Sequence, residues 1–362
     1  MLKFIHAADF HLDSVFAALP PGRAAERRRE SRELAFRLAD YVNGHGVQLV
    51  LLAGDLFDSA SPYRETGEAL AEALGRMKAR VFAAPGNHDW YGPGSPWLTE
   101  RWPENVHIFR ESVMTSVDVP ELGVTVSGAA FTGPEQGESF LRGFTAPRNG
   151  RFQIGLLHGE AEAAEGRYNP IRREEIDASG LDYLALGHIH KRGEGKSGVP
   201  CAWPGCIEGR GFDELGEKGF YEGLADGGRV SLSFVPFARR RYEVLEVDVT
   251  GKNPRTAVEA ALPEDTRGDL YRILLTGEAG QGGADAKALK TALAERFYAL
   301  EIRDHTRVAA DDWARSGEDS LRGLFLRELR RRWDAAGDSA EQEVITRAVR
   351  FGLAALDHRD LG

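Results

Sequence analysis

The sequence predicts an α/β fold, and three observations predict it. Through about residue 90, apolar stretches alternate with stretches of helical periodicity in the order β-α-β-α-β. The apolar stretches are continuous rather than alternating, the pattern of strands covered on both faces. Each runs straight into Asp, Asn or His, usually beside a glycine.

The elements follow in order. "LKFIHA", Leu2 to Ala7, reads as a strand leading into Asp9-Phe10-His11. Residues 23–43 carry Leu34, Leu38, Tyr41 and Val42 at helical spacing and stop at Gly44 and Gly46, a C-cap pattern. Val47 to Ala53 is a second strand, broken by Gly54-Asp55, and Ser61-Pro62 opens a helix reaching about Lys78. "ARVFAAP" is a third strand, followed by Gly86-Asn87-His88-Asp89. Between 104 and 150, the short strands "NVHIF" and "VTVSGAAF" are joined by Gly- and Pro-rich links. "RFQIGLL" then meets His158-Gly159, and "LDYLALG" meets His188-Ile189-His190.

Beyond residue 240 the pattern changes. An alternating strand with Val247 and Val249, the helical "RTAVEAAL", a strand "DLYRILLTG", a Gly-rich break at 280–283, a helix at 284–298 and a strand near 300–309 form a small α+β unit. Arg239-Arg240-Arg241 at its start reads as a solvated face or a phosphate contact. The tail, 318–362, holds two helices. One is striped with Leu321, Leu324, Phe325, Leu329 and Trp333, the other with Ile345, Val349, Leu353 and Leu356. Such stripes pack on their own domain or meet a partner.

Composition bounds the answer. A chain of 362 residues calls for two or three domains, and 42% hydrophobic with 28% charged residues is globular usage. No apolar run approaches the roughly 20 residues of a membrane span, and His6 and Asp9 interrupt the stretch where a signal peptide keeps its apolar region, so a cytoplasmic protein is expected. The net charge of −10 argues against a generally basic surface, while leaving room for a local basic groove. Cys201 and Cys206, the two cysteines, have no zinc-site spacing and read as small buried thiols.

Ligands of open α/β sheets bind outside the carboxyl ends of the strands, so the five polar clusters are expected in one crevice. His188 and His190, two residues apart on extended backbone, point to the same side. Asp9, His11, Asp55, Asn87, His158, His188 and His190 exceed what one ion can hold. Two ions with one bridging carboxylate are expected, and the mixed N/O set without thiolate suits Mn, Fe, Co or Zn better than Mg or Ca. Paired ions of this kind serve in-line attack on phosphorus. His6 reads as a core or supporting histidine; His45, His107, His305 and His358 read as solvated.

"DFH", "GDLFD", "GNHD", "LLHGE" and "GHIH", in this order, resemble the signatures of the calcineurin-like metallophosphoesterase superfamily. "HLDSVF" and "WPGCIEGRGFDELGEKGFY" make the chain similar to SbcD- and YhaO-type bacterial DNA repair exonucleases, relatives of the meiotic-recombination-eleven nucleases, strongly over about residues 1–250. The resemblance implies a four-layer sandwich of two mixed sheets flanked by helices in 1–240, an α+β capping and DNA-recognition domain in 241–312, and a helical segment in 318–362 that docks on an ATPase. It implies that Asp9, His11 and His190 hold one divalent ion, that Asn87, His158 and His188 hold the other, and that Asp55 bridges them. Mn2+ is the expected metal. By the same resemblance, His88 acts on the leaving oxygen and Asp89 orients its imidazole. Asp58 replaces a histidine of the archaeal and eukaryotic branch; it and Arg210 are expected to contact substrate, and Asp13 and Arg210 lie near the cleft or form a loop salt bridge.

The expected activity is therefore a manganese-dependent DNA exonuclease, with or without endonuclease action, working on double-strand breaks as a homodimer with an SMC-like ATPase of the SbcC/YhaN type. The same ligands would also serve a phosphatase or phosphodiesterase of small phosphoesters or nucleotides. A non-catalytic repair scaffold would keep the fold without the chemistry.

Overall fold

The structure, a computed structural model, describes residues 1–279, 284–308 and 310–356; the expected Gly-rich break at 280–283 and His358 lie outside the described residues. It divides into two compact units that meet between Arg239 and Arg240 in the chain.

The first unit begins with β1 (Leu2–Ala7), α1 (Pro21–Gly44), β2 (Leu49–Leu52), α2 (Arg64–Gly75), β3 (Arg80–Ala83) and β4 (Val106–Ile108). It continues with β5 (Thr115–Val119), β6 (Val124–Gly128), β7 (Phe152–His158), α3 (Arg173–Ala178), β8 (Tyr183–Gly187), β9 (Gly193–Glu194), β10 (Cys201–Trp203) and the hairpin β11 (Gly219–Asp226) and β12 (Arg229–Pro236). These form two six-stranded sheets, in the orders β12-β11-β1-β2-β3-β4 and β9-β10-β8-β7-β6-β5. In each the central strands run parallel and antiparallel partners lie toward the edges. The expected sandwich of two mixed sheets flanked by helices is what the chain forms.

Alternate residues of each strand feed different cores. Phe4, Leu49, Leu51 and Phe82 of the first sheet meet Ile154, Leu156, Tyr183 and Ala185 of the second. The opposite face of the first sheet, Ile5, Val50, Leu52 and Val81, takes Leu34, Leu38 and Val42 of α1 with Leu70 and Leu74 of α2. Leu157, Leu184 and Leu186 cover the outer face of the second sheet with Ile176 and Leu181. Burial on both faces is why these strands read as continuous apolar runs. Register then levels their ends: Ala7 lies beside Leu52, Leu52 beside Ala83, and Gly187 beside His158.

In the second unit, β13 (Tyr242–Asp248), β14 (Leu270–Thr276) and β15 (Ala299–Asp304) form a parallel sheet with α4 (Pro254–Ala261) and α5 (Ala286–Leu293). The helix expected over 284–298 is shorter, ending in a 3-10 turn at Ala294–Arg296. The tail helices α6 (Leu321–Ala335) and α7 (Ser339–Leu356) bury Leu326, Val349 and Leu353 with Val308 and Trp313 of the same unit, and Phe325, Leu329 and Trp333 pack on that cluster. Leu321 and Leu324 of the expected stripe stay exposed. Among the described residues, no helix is long and apolar enough to cross a membrane.

Candidate metal centre

The loops after β1 and β2 leave the first sheet together, with Asp9 N–H donating to the Gly54 carbonyl and His11 N–H to the Asp55 carbonyl, both at 3.0 Å. Asp9, His11, Asp55 and His188 take φ of 54°, 43°, 51° and 90°, the left-handed region that L-residues avoid. Such conformations persist where surroundings over-determine them. The buried Asp89 carboxylate does much of this: it accepts the N–H groups of Gly86 (2.7 Å), Leu56 (2.9 Å), Asp55 (3.2 Å) and Phe57 (3.3 Å). His188 N–H donates to the Asp9 carboxylate at 3.0 Å. Glycine is required at 86 and 187, where a methyl group would strike the Asp55 carboxylate and the Ala53 carbonyl.

These backbones bring the seven expected donors together. Asp9, His11 and His190 form one cluster with ligand atoms mutually within 4.8 Å, and Asp9, Asp55 and His158 form another. Asp55 Oδ2 lies 3.3 Å from His158 Nε2 of its own cluster and 3.8 Å from His11 Nε2 of the other. Asn87 Oδ1 stands 3.0 Å from His158 Nε2 and 3.2 Å from His188 Nδ1. Three of the four imidazoles have their outer nitrogen engaged. His11 Nδ1 meets Asp58 Oδ1 at 3.1 Å, His190 Nδ1 meets Glu214 Oε1 at 2.7 Å, and His158 Nδ1 meets the Ala53 carbonyl at 2.9 Å.

An acceptor on the outer nitrogen fixes the proton there and turns a lone pair inward. His11 Nε2 and His190 Nε2 then face each other at 3.1 Å as two acceptors, an arrangement that a cation between or beside them satisfies and a hydrogen bond does not. The charges point the same way. Burial pushes the Asp9 carboxyl up, with His158 opposing, whereas the neighbouring His158 and His11 hold Asp55 well below the usual carboxylate range against its burial. Burial disfavours a charge on His158, yet Asp55 and Asp9 raise it to about 9. Burial, with the His158 charge, lowers His188 to about 3. Two buried carboxylates attract positive charge, and imidazole nitrogens with carboxylate oxygens suit a divalent transition metal. The donor set fits.

Two expectations change. Asp89 does not orient His88: every hydrogen bond found for its carboxylate goes to backbone N–H groups, and His88 Nδ1 meets the Asp58 carbonyl instead, at 3.2 Å. Asp58 and Arg210 pair with each other at 3.0 Å and also meet His11 and Glu214, so that Arg210 forms a salt bridge. His107 is half-buried on β4 between Phe82 and Phe109, not solvated. His88 stays exposed, edge-on to His11 at 4.9 Å between ring centroids. His6 is a core histidine between the sheets, held by Tyr183 Oη at 2.8 Å and the Leu186 carbonyl at 3.0 Å. Asp13 tethers the start of α2 through Tyr63 N–H and Thr66. Sequence reasoning missed Glu214, the Ala53 carbonyl and Asn169, whose amide donates to the His158 carbonyl at 2.9 Å. Only Glu214 left a signal, lying inside "GRGFDELGE".

Residues 2–192 match the family described as calcineurin-like phosphoesterase. The chain is 34% identical over 323 residues to the uncharacterized metallophosphoesterase YhaO of Bacillus subtilis, spanning 84% of this chain and 78% of that one. It is 24% identical over 371 aligned positions to the DNA double-strand break repair protein Mre11 of Methanopyrus kandleri, with 91% and 77% covered. It is 21% identical over 284 residues to the SbcD component of the nuclease SbcCD of Staphylococcus epidermidis, with 68% and 73% covered.

Proposed function

We propose, from the premise that the chain belongs to the calcineurin-like phosphoesterase family, that it is a DNA exonuclease using two divalent metal ions. The observation that carries this is the convergence of seven N/O donors on two overlapping clusters. In this reading Asp9, His11 and His190 hold one ion, Asn87, His158 and His188 hold the other, and Asp55 serves both. When bound, the ions supply an activated water and charge stabilisation for in-line displacement at phosphorus.

The chain's own residues do the rest. With Nδ1–H on the Asp58 carbonyl, the exposed His88 ring would act in its imidazolium form, giving its Nε2 proton to the departing 3′ or 5′ oxygen and remaining as the neutral Nδ1–H imidazole. Asp89 keeps the Asp55 and Asn87 loops in register for that transfer. Support for DNA as substrate comes from the two relatives named for double-strand break repair and for nuclease activity. Mn2+ as the metal, a cytoplasmic homodimer, and an SMC-like ATPase partner belong to the same proposal.

The test is one assay with end-labelled duplex, single-stranded DNA and a chromogenic phosphodiester, each with Mn2+ or Mg2+. Mn2+-dependent shortening of the duplex is expected. Turnover of the chromogenic ester alone would make the protein a phosphodiesterase of small phosphoesters, and no turnover of any substrate with both ions bound would make it a scaffold.

A further inference from the structure

The two halves of the metal centre are supported differently. Around Asp9, His11 and His190, both imidazoles are backed by carboxylates, His11 by Asp58 at 3.1 Å and His190 by Glu214 at 2.7 Å. Arg210 joins the two carboxylates, reaching Asp58 Oδ1 at 3.0 Å and Glu214 Oε1 at 2.8 Å, while its own backbone N–H donates to Glu214 Oε2 at 2.7 Å. One unbroken chain, His11-Asp58-Arg210-Glu214-His190, therefore closes around one side of the centre. The Arg27 guanidinium, fully buried in α1, holds the loop that carries it, through Glu208 at 2.8 Å and the Gly209 carbonyl at 3.3 Å.

Around Asn87, His158 and His188 the support is weaker in charge. His158 is backed by a neutral carbonyl, Asn87 is a neutral ligand, and His188 Nε2 has Glu160 only at 3.4 Å, on a side chain 30% exposed. A carboxylate on the outer nitrogen fixes the ring and raises the basicity of the inner nitrogen, and losing such a partner lowers metal affinity by about 10- to 100-fold.

We propose that Glu214 and Asp58 are positioning residues for the Asp9/His11/His190 subsite, and that this subsite binds its ion more tightly and first. The inference rests on the two-metal reading above and assigns an order within it. Arg210 offsets one of the two negative charges, which helps two anions stand behind two imidazoles. The tight subsite is then nearly complete before the second ion arrives.

Calorimetric titration of chelator-stripped full-length protein with Mn2+ alone tests this, with circular dichroism reporting the fold. The wild-type chain is expected to bind two ions with affinities at least about tenfold apart. Glu214→Gln, and independently Asp58→Asn, are expected to weaken the tighter class by about 10- to 100-fold and leave the weaker class within about threefold. Asn87→Ala is expected to remove the weaker class and keep the tighter one. Two ions of equal affinity in the wild type, a tighter class unmoved by both carboxylate variants, or loss of that class in Asn87→Ala would each overturn the proposal. If Glu214→Gln fails to fold, Asp58→Asn decides by the same criterion. Fewer than two ions bound by the wild-type chain would instead overturn the two-metal reading.

Discussion

Both units of this protein contain parallel strands, yet among the described residues only one ends them in a cluster of convergent donors. In the second unit, β13 ends at Asp248, β14 at Thr276 and β15 at Asp304, residues as polar as those after β1 and β2. There the polar groups are spent locally. Asp248 accepts the Thr250 N–H at 2.8 Å, and Asp304 accepts the N–H and hydroxyl of Thr306 at 2.9 and 2.7 Å while pairing with Arg350. In the first unit four of the expected ligands sit on left-handed backbone, and their side chains turn inward with the nitrogens facing one another. Strand ends supply position in both units. What makes a centre is backbone forced out of its preferred conformation, with the glycines and the Asp89 carboxylate that hold it there.

The largest expected effect that sharpens this contrast is Asp55→Ala, which removes the group proposed to serve both ions. Elemental analysis should find both ions lost and activity at background, with the second unit's fold unchanged by hydrogen exchange; retention of either ion would show that Asp9 suffices to join the clusters. Next is His88→Ala. It leaves all seven donors, so metal content should stay at two while turnover falls by about 10² to 10⁴, and a drop in metal content would make His88 a ligand.

A pH effect of smaller size follows from His158. Raised to about 9, its imidazole is protonated in the metal-free protein at neutral pH, so a metal ion must displace that proton. Affinity for the ion is therefore highest above about 9 and is lost as pH falls. Between pH 6 and 8 the association constant of the Mn2+ ion held by His158 should rise about tenfold per unit, one proton displaced by that ion, with proton release visible to an indicator dye. A pH-independent constant would mean that His158 is neutral before binding. Gly187→Ala should cost about 1–3 kcal/mol of stability through the clash with the Ala53 carbonyl and should also lower metal content. Thr306→Ala in the second unit should cost about 1–2 kcal/mol, for the hydrogen bonds its hydroxyl gives to Asp304 and accepts from Arg350, and leave metal content intact. If Thr306→Ala lowered metal binding, the separation of the two strand-end strategies would be wrong.

The same contrast explains what could be read in advance. β1, β2, β7 and β8 were legible because burial on both faces writes an uninterrupted apolar run, and the donors were legible because they follow those runs directly. β5 was not, since Thr115–Val119 is a largely exposed edge strand with alternating polar residues, and nor was the β11–β12 hairpin, whose outer strand Arg229–Pro236 has no buried residue. The ligands are a local matter of strand ends; their supports are not. Glu214 reaches His190 from 24 residues away and Ala53 reaches His158 from 105, and the Ala53 group is a backbone carbonyl that every residue possesses. Asp89 stands next to His88 in the chain, and the family resemblance implies that it orients that imidazole. Its carboxylate is turned the other way, toward the amides of Gly86 and the loop after β2, and only the fold of those loops reveals it.

β1 lies in the interior of its sheet, with β2 on one side and β11 on the other. That placement sets an order for biosynthesis. Asp9, His11, Asp55 and Asn87 leave the ribosome before the later donors, and β1, β2 and β3 can pair once β3 has emerged, whereas the other edge of β1 stays open until Gly219–Asp226 has been made. His158, His188, His190 and Glu214 all precede that hairpin in the chain. The strand that closes the sheet therefore arrives only after every donor has emerged, so a nascent chain cannot seal its core around a half-built centre.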